Sequence, residues 1–540
     1  MAEVIVVGAG PTGLTMAGEL ARFGVPVRLI ESALEASTTS KALGVQARTL
    51  EQMAPMGLVD RMLGAGVRLR GANIFSEGRR IAHVTFAGLE TRFPFVLAVP
   101  QYETERILRE NAERRGVRLE RGVTLSSLHD EGDGVSAQLH HADGSEESVR
   151  AGWLIGCDGA HSTVRHELAL PFEGDALEAS FALADVKVAW QMADDEIVVY
   201  LHHGEIAAFF PLPGGRYRII IECPTPSGVE GEPTLQEVSD AVARCGAQGL
   251  SLSDPVWLAR FRINERRVRA YGRGRVFVAG DAAHIHSPVG GQGMNTGIQD
   301  ACNLAWKLAL GWRGRGSAAL LESYRSEREA VGAALLEGTR RATRAVLLRN
   351  QVAESVRDWV LHSLSSFEPV QDRMRSTIAE LTINYRRSPV VRDDLATGLE
   401  RLAHAWGARP GDRAPDASAV RAADGARITP LELLGDGRHV LLFFAAGAPA
   451  HQADLEAVAD LVARSYADVV TADVVCTEHD GWRAPADWGR IEDPDGSFHR
   501  AFGAEAPQLV LLRPDGYLGY RVGLRDATRL CAYLVEIFGV

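Results

Sequence analysis

Short apolar runs that stop at glycine or at an acid alternate with helical stretches along the first third of the chain. The first run, Val4-Ile5-Val6-Val7, has no polar interruption and ends at Gly8. That pattern predicts a strand buried on both faces of a parallel sheet. Residues 14–23 follow with helical spacing, Leu14, Ala17, Gly18 and Ala21 forming one stripe, and a second strand, Val27-Arg28-Leu29-Ile30, stops at Glu31. Helical spacing over residues 46–63, through Leu50, Met53, Leu58 and Met62, breaks near Pro55-Met56-Gly57. Alternation over 68–75 and 80–86 predicts strands of an inserted sheet, and 95–99 a further apolar strand before a helix over 103–115. Between 117 and 150 the alternation is punctuated by Asp133-Gly134 and Asp143-Gly144, a β-meander.

The core strand pattern returns at Trp153-Leu154-Ile155-Gly156 and at Val276-Phe277-Val278-Ala279. Between them lies a second antiparallel sheet over 181–222, turning at Gly214-Gly215, and a helix over 234–245. Of its aromatic residues (Trp190, Tyr200, Phe209, Phe210, Tyr217), core packing is the commoner role, while Tyr200, Phe209 and Pro211 are the candidates for facing a substrate. Helical periodicity runs from 296 to about 381, and Arg409-Pro410-Gly411 marks a linker. Beyond it come a strand (439–444), a helix (452–465), a strand (469–476), a hairpin (508–512 and 518–522 around Arg513-Pro514-Asp515-Gly516) and a closing helix (527–538). The fold class is α/β, led by a Rossmann-like dinucleotide-binding domain.

At 540 residues the chain exceeds a single core. A net charge of −12 argues against a nucleic-acid partner, which a basic excess would have to neutralise. Only Lys41, Lys187 and Lys307 are lysine, the other basic residues being arginine, a bias typical of GC-rich coding sequence. Six scattered cysteines without a Cys-x-x-Cys pair fit reduced thiols in a cytoplasm, not a disulfide frame or zinc site. No run nears the ~18 apolar residues of a membrane span, and the first residues enter a strand at once, so a cytoplasmic protein without membrane contact is expected.

Three motifs carry the chemistry. In Gly8-Ala9-Gly10-Pro11-Thr12-Gly13, Gly8 permits a tight turn, Gly10 lets backbone approach a pyrophosphate, and Gly13 lets helix and strand pack closely. The helix start supplies N–H groups and partial positive charge to the phosphates, and Glu31, about 20 residues on, can take ribose hydroxyls. The second motif is Cys157-Asp158-Gly159-Ala160-His161-Ser162-Thr163-Val164-Arg165, the third Gly280-Asp281-Ala282-Ala283-His284, continuing through Pro288, Gly290, Gly291 and Gly293 to Met294-Asn295. Each follows a strand, where open α/β sheets bind ligands. His284 and His286 have no third ligand at suitable spacing, so no metal is expected there.

In this order the three motifs resemble those of the group A flavoprotein monooxygenases, the p-hydroxybenzoate and phenol hydroxylase families, over roughly residues 1–345. The resemblance implies FAD, with Asp281 on the ribitol hydroxyls and Glu31 on the adenosine ribose, Ser32 beside it. It also implies Gln101 on the ribityl chain or phosphate, Pro288 beside the ring where oxygen reacts, and the Met294 and Asn295 backbone on the pyrimidine side. The bare amides after Gly291 and Gly293 would stabilise the negative charge of a reduced flavin. Lys41 stands where relatives carry arginine; Arg48 either shares phosphate or ring contacts or makes a plain salt bridge. Asp158 is expected to pair with Arg165 along the pyridine-nucleotide groove.

The implied domains are 1–175 and 261–345 for FAD, 176–260 for a substrate-binding sheet, 346–408 for a helical segment, and 409–540 for a thioredoxin-like domain. The last carries Ala445-Ala446-Gly447-Ala448-Pro449 where a redox thioredoxin has Cys-x-x-Cys, so it is non-redox; packing or contact with a second copy, as in a homodimer, is its role. The implied activity is NADPH- or NADH-dependent hydroxylation of a phenolic, polycyclic polyketide by O2 through a flavin C4a-hydroperoxide. Small phenols or hydroxyphenylpropionates, and antibiotic-inactivating hydroxylation, are the alternatives; a non-catalytic binding protein resembling the GDP-dissociation inhibitors is the rival from another class. A second Gly-x-Gly-x-x-Gly and a Trp-x-Trp-x-Ile-Pro are both missing, which speaks against two-dinucleotide reductases and flavin halogenases.

Overall fold

The computed structural model describes residues 3–39, 42–203, 205–222, 231–287, 290–346, 367–395, 407–446, 449, 451–477 and 481–539. The fully buried strand Val4–Val7 pairs in parallel with Val27–Glu31 on one side and Trp153–Gly156 on the other. Trp153–Gly156 in turn pairs in parallel with Val276–Val278, and Gly272–Arg273 and Leu119–Arg121 complete a six-stranded sheet. Burial on both faces is why the first run admits no polar residue. Val7 lies opposite Gly156 and Gly156 opposite Val278. The three motifs therefore leave the sheet from adjacent strands at one edge.

The helix Pro11–Arg22 lies against the helices Gln101–Arg114 and Gly293–Trp312. The predicted meander forms a separate sheet of Val123–Asp130, Val135–His141 and Glu146–Ala151. The single strand expected over 68–75 is two strands in two sheets. Val67–Leu69 joins Val96–Ala98 and Gly44–Val45, while Gly71–Ser76 joins the large antiparallel sheet. The split falls where Gly71 crosses the neighbouring strand, since a Cβ there would lie 2.8 Å from the Val84 carbonyl oxygen.

That large sheet has eight strands, in the order His284–Ile285, Ser251–Arg267, Glu173–Ala189, Arg216–Glu222, Glu205–Leu212, Glu196–His202, Gly71–Ser76 and Arg79–Thr85. One face is covered by Leu235–Arg244, whose Thr234 forms a capping box with Glu237. Ser251–Arg267 escapes the sequence pattern because only Ile263 and Glu265 of its 17 residues are buried. Its far end reaches His284–Ile285, so the sheet is tied directly to the third motif.

The C-terminal part is an eight-stranded mixed sheet. Its central strand, His439–Phe444, runs parallel to Val470–Cys476 and antiparallel to Gln508–Leu512, which forms the predicted hairpin with Leu518–Gly523. Leu441 and Phe443 share the main core with the helices Gln452–Ser465 and Ala527–Phe538; Val440, Leu442 and Phe444 face a second core around Phe498 and Phe502. No helix among the described residues is long and apolar enough to cross a membrane.

Hairpin and dinucleotide half meet at a buried cluster of charges. Glu327 accepts from Lys307 Nζ (2.8 Å), Asn303 Nδ2 (2.6 Å), Ser388 Oγ (2.6 Å) and, through both oxygens, Arg513 (2.7 and 2.9 Å). Arg513 also grips Asp515 at 2.5 Å. Burial alone would raise the Glu327 carboxyl, but the Arg513 guanidinium and Lys307 ammonium outweigh it and hold it below the usual range. Burial and the nearby Arg513 bring Lys307 down to about 8. Behind the same helix, burial lifts the Glu380 carboxyl to about 8, although Arg328 and a hydrogen bond from Gln299 pull against it.

Arg513→Leu leaves Glu327 and Asp515 buried with a single cation, and is expected to lower stability by about 3–5 kcal/mol in urea unfolding. Loss of the exposed Arg438–Asp436 pair in Arg438→Leu is expected to change it by less than about 1 kcal/mol. Because Glu380 holds its proton in the folded state above the pH at which the unfolded chain releases it, stability should fall as pH rises from about 4.5 to about 8. Glu380→Gln should remove that part of the slope, read from denaturation midpoints across the range.

Candidate active site

Close backbone contacts build the site. Gly8 has φ +99°, and a Cβ on it would lie 2.4 Å from the Cys157 carbonyl oxygen; one on Gly13 would lie 1.9 Å from the Gly8 oxygen. Around Gly10 a Cβ would meet nothing within 4 Å, so the turn is open where a phosphate would approach. Gly10 caps the helix, with Pro11 in its first turn and no side chain on the free N–H groups. Thr12 faces sideways: a Cβ on Gly280 or Gly297 would lie 2.5 or 2.3 Å from its Oγ1. The first and third motifs thus touch through two glycines and a threonine. The Glu31 carboxylate accepts from the Ala9 N–H (2.7 Å), the Ala33 N–H (2.9 Å) and the exposed Ser32 hydroxyl (3.2 Å), which fixes it at the mouth of the turn.

The second motif backs this turn. Asp158 accepts from the Val164 N–H (3.2 Å), and its Oδ1 is buried without a partner. Burial pushes its carboxyl up, opposed by Ser162 and the Val164 N–H. The expected pairing with Arg165 is corrected. Arg165 donates to the carbonyls of Ala160 (2.8 Å) and Ala282 (3.1 Å) and lies 4.0 Å over the Phe172 ring. It stitches the second motif to the third.

In the third motif Asp281 is exposed on the tip of a 3-10 turn, Gly280–Ala282. The turn is fixed from below by buried Asp300, which accepts from the Gly280 N–H (2.9 Å), His284 Nε2 (2.8 Å) and Arg328 Nε (2.5 Å). Burial would raise that carboxyl; Arg328 and His284 prevail and lower it. His284 is therefore structural. Burial, with His284 alongside, brings His286 down to about 4 and keeps it neutral, its Nδ1 donating to the Ser287 carbonyl (3.0 Å).

Gly290 and Gly291 both take left-handed φ. Their carbonyls accept from Gln46 Nε2 (2.9 Å) and Asn295 Nδ2 (2.8 Å). Asn295 is fully buried and also joins the Gly44 carbonyl and the Gln46 N–H, so its side chain anchors the loop. The helix Gly293–Trp312 begins without a side-chain cap, and Met294 is half-buried behind it. Gln101 accepts from the Ala42 N–H (2.9 Å) and donates to Glu105 (2.8 Å). Lys41 and Pro288 lie outside the described residues.

Four of the expected site residues lie elsewhere. Arg48 is fully buried, bound to Glu51 (2.9 Å) and the Asp515 carbonyl (2.9 Å), with its guanidinium 4.4 Å over the Tyr517 ring. It belongs to the seam with the C-terminal hairpin. Tyr200 stacks on Phe75 at 5.1 Å and meets Phe209 edge-on at 6.0 Å, in the core beneath Leu235–Arg244. Pro211 is opposite Tyr217 and shares that face. Strand alternation turns their neighbours Phe210 and Leu212 the other way, into the core of the dinucleotide half. Sequence reasoning does not find Gln46 or Asp300 as site-builders. Neither sits in a glycine motif, and each acts through partners distant in sequence.

The residues present fit FAD: a helix start open at Gly10, the Glu31 and Asp281 carboxylates at two strand ends, a buried unpartnered Asp158 oxygen, and an uncapped helix behind Gly291. The FAD binding domain family matches residues 1–339, and the C-terminal domain of aromatic-ring hydroxylases matches 407–540. The chain is 36% identical to the 6-methylpretetramide 4-monooxygenase of Streptomyces rimosus, over 98% of this chain and 93% of the relative. It is 33% identical to the pentachlorophenol 4-monooxygenase of Sphingobium chlorophenolicum, over 97% and 94%. Among solved structures it is similar to the OxyS anhydrotetracycline hydroxylase of Streptomyces rimosus (TM-score 0.77, 28% identity, 100% and 99% covered). It is also similar to CabE, an aromatic hydroxylase from angucycline biosynthesis (TM-score 0.76, 32%, 100% and 99%). A sheet edge where three motifs converge, followed by this C-terminal domain, fits the family matches and makes the chain a member of the FAD-dependent aromatic-ring hydroxylases.

Proposed function

We propose that this monooxygenase uses NADPH or NADH to hydroxylate a phenolic, polycyclic polyketide. The observation that carries the reading is the near full-length likeness to hydroxylases named for tetracycline-type and angucycline chemistry. Likeness to a pentachlorophenol enzyme over a similar span keeps a small phenol as the second reading.

When bound, FAD supplies the redox chemistry, taking reducing equivalents from the nicotinamide and delivering one atom of O2 to the ring. The chain's own part is positional and electrostatic. The open turn at Gly10 and the start of Pro11–Arg22 hold the pyrophosphate, and Glu31 and Asp281 take ribose and ribitol hydroxyls. The uncapped start of Gly293–Trp312 favours negative charge on the pyrimidine side. Asn295 and Gln46 hold the glycine loop in place for it.

The substrate lies against the face of the large sheet that bears Phe210 and Leu212, not the one bearing Tyr200 and Phe209. An apolar wall of this kind excludes water from the reacting ring. The C-terminal domain, read as thioredoxin-like from its central strand between one parallel and one antiparallel neighbour, acts as a brace. A reducing cytoplasm suits the enzyme, since Cys157, Cys245, Cys302 and Cys531 are free thiols.

Asp281→Ala is expected to weaken FAD binding by about 1–3 kcal/mol, the range for a hydrogen bond to a charged group, measured by quenching of flavin fluorescence on titration. For the substrate, NADPH oxidation and O2 uptake are to be followed across a panel of phenolic polycycles and simple phenols. Stimulation with matching product hydroxylation is expected for the polycycles; stimulation by simple phenols alone would transfer the assignment to the second reading.

A further inference from the structure

At one rim of the large sheet two hairpins end side by side. Gly71–Ser76 and Glu196–His202 pair in parallel with Ser76 opposite Leu201, so the residues that follow each strand end meet. Glu77 and His203 both take left-handed φ, 50° and 46°, a conformation uncommon outside glycine. His202 Nδ1 lies 2.8 Å from Glu77 Oε1, and the rings of His202 and His203 are 4.1 Å apart between centroids. One ligand atom from each of the three lies within 4.8 Å of the other two, a grouping with no counterpart among the described residues.

We propose that Glu77, His202 and His203 form a surface site for a divalent first-row transition ion, zinc foremost, completed by water. Two imidazoles and a carboxylate are a borderline donor set that suits zinc and not magnesium or calcium, which take oxygen ligands. Tetrahedral zinc with bonds of about 2.0–2.1 Å places its donors roughly 3.3 Å apart. The His202–Glu77 separation is already close to that, and the ion takes the place of the proton they now share. The left-handed turn residue His203 brings a second imidazole to within 4.1 Å of the first, so three donors converge where the two hairpin tips meet. All three side chains sit at exposed or half-exposed turn positions where small rotamer shifts close the triad. The ion joins residues 125 apart in sequence and pins two hairpin tips together. Neither motif-scale spacing nor a Cys/His run announces it, because parallel pairing of separate hairpins creates the site.

The test uses the untagged, full-length, FAD-loaded protein stripped with EDTA and dialysed against zinc chloride or magnesium chloride. One zinc per chain and no magnesium are expected. The double variant His202→Ala/His203→Ala should lose that zinc. Loss of even an outer-shell partner weakens metal sites by roughly 10–100-fold, so Glu77→Gln should bind at least about tenfold more weakly. Unchanged flavin content in the variants shows that they are folded. Wild-type protein that takes up no stoichiometric zinc, or a double variant with the same stoichiometry and affinity, overturns the proposal.

Discussion

The site depends on glycine backbone approaching its neighbours more closely than a Cβ would allow. The Gly8–Cys157, Gly13–Gly8, Gly280–Thr12 and Gly297–Thr12 contacts leave no room for a Cβ. They bring three segments more than a hundred residues apart onto one sheet edge. A methyl group at any of them would separate a strand end from its neighbour, and with it the carboxylates at 31 and 281 from the turn between them. Hydrogen bonds then fix what the contacts permit. Arg165 ties the second motif to the third, Asp300 supports Gly280, and Asn295 ties the glycine loop to the strand Gly44–Val45.

Electrostatics is arranged in two layers around the helix Gly293–Trp312. Its start is uncapped and faces the loop of left-handed glycines, so its dipole is left for a ligand. Its body carries Asp300, Asn303 and Lys307, each committed to buried partners on later elements. The end that serves chemistry is open, while the middle is locked into the protein.

The sequence discloses this site unevenly, for physical reasons. Glycine turns and apolar strands are local signals, so Gly8, Gly10, Gly13, Glu31 and Asp281 could be placed from neighbours a few residues away. Arg48 could not, because only Glu51 is local, while the Asp515 carbonyl and the Tyr517 ring that fix it in the seam are more than 460 residues distant. The alternation puts Tyr200, Phe209 and Pro211 in the right sheet, yet a strand's two faces differ by one residue, and the pattern alone does not say which face meets the helix Leu235–Arg244. Ser251–Arg267 went unseen because a half-exposed strand rich in arginine lacks the apolar alternation that marks a half-buried one.

The buried grip of Arg513 on Glu327 and Asp515 reaches, through Lys307 and Asn303, the helix whose first turn lies behind the glycine loop. The final 130 or so residues (taking 407–540 as their span) are therefore no detachable appendage. Exchange of this module between related hydroxylases has to carry both sides of the charge cluster, since grafting one side alone would strand an unneutralised ion beneath the catalytic half.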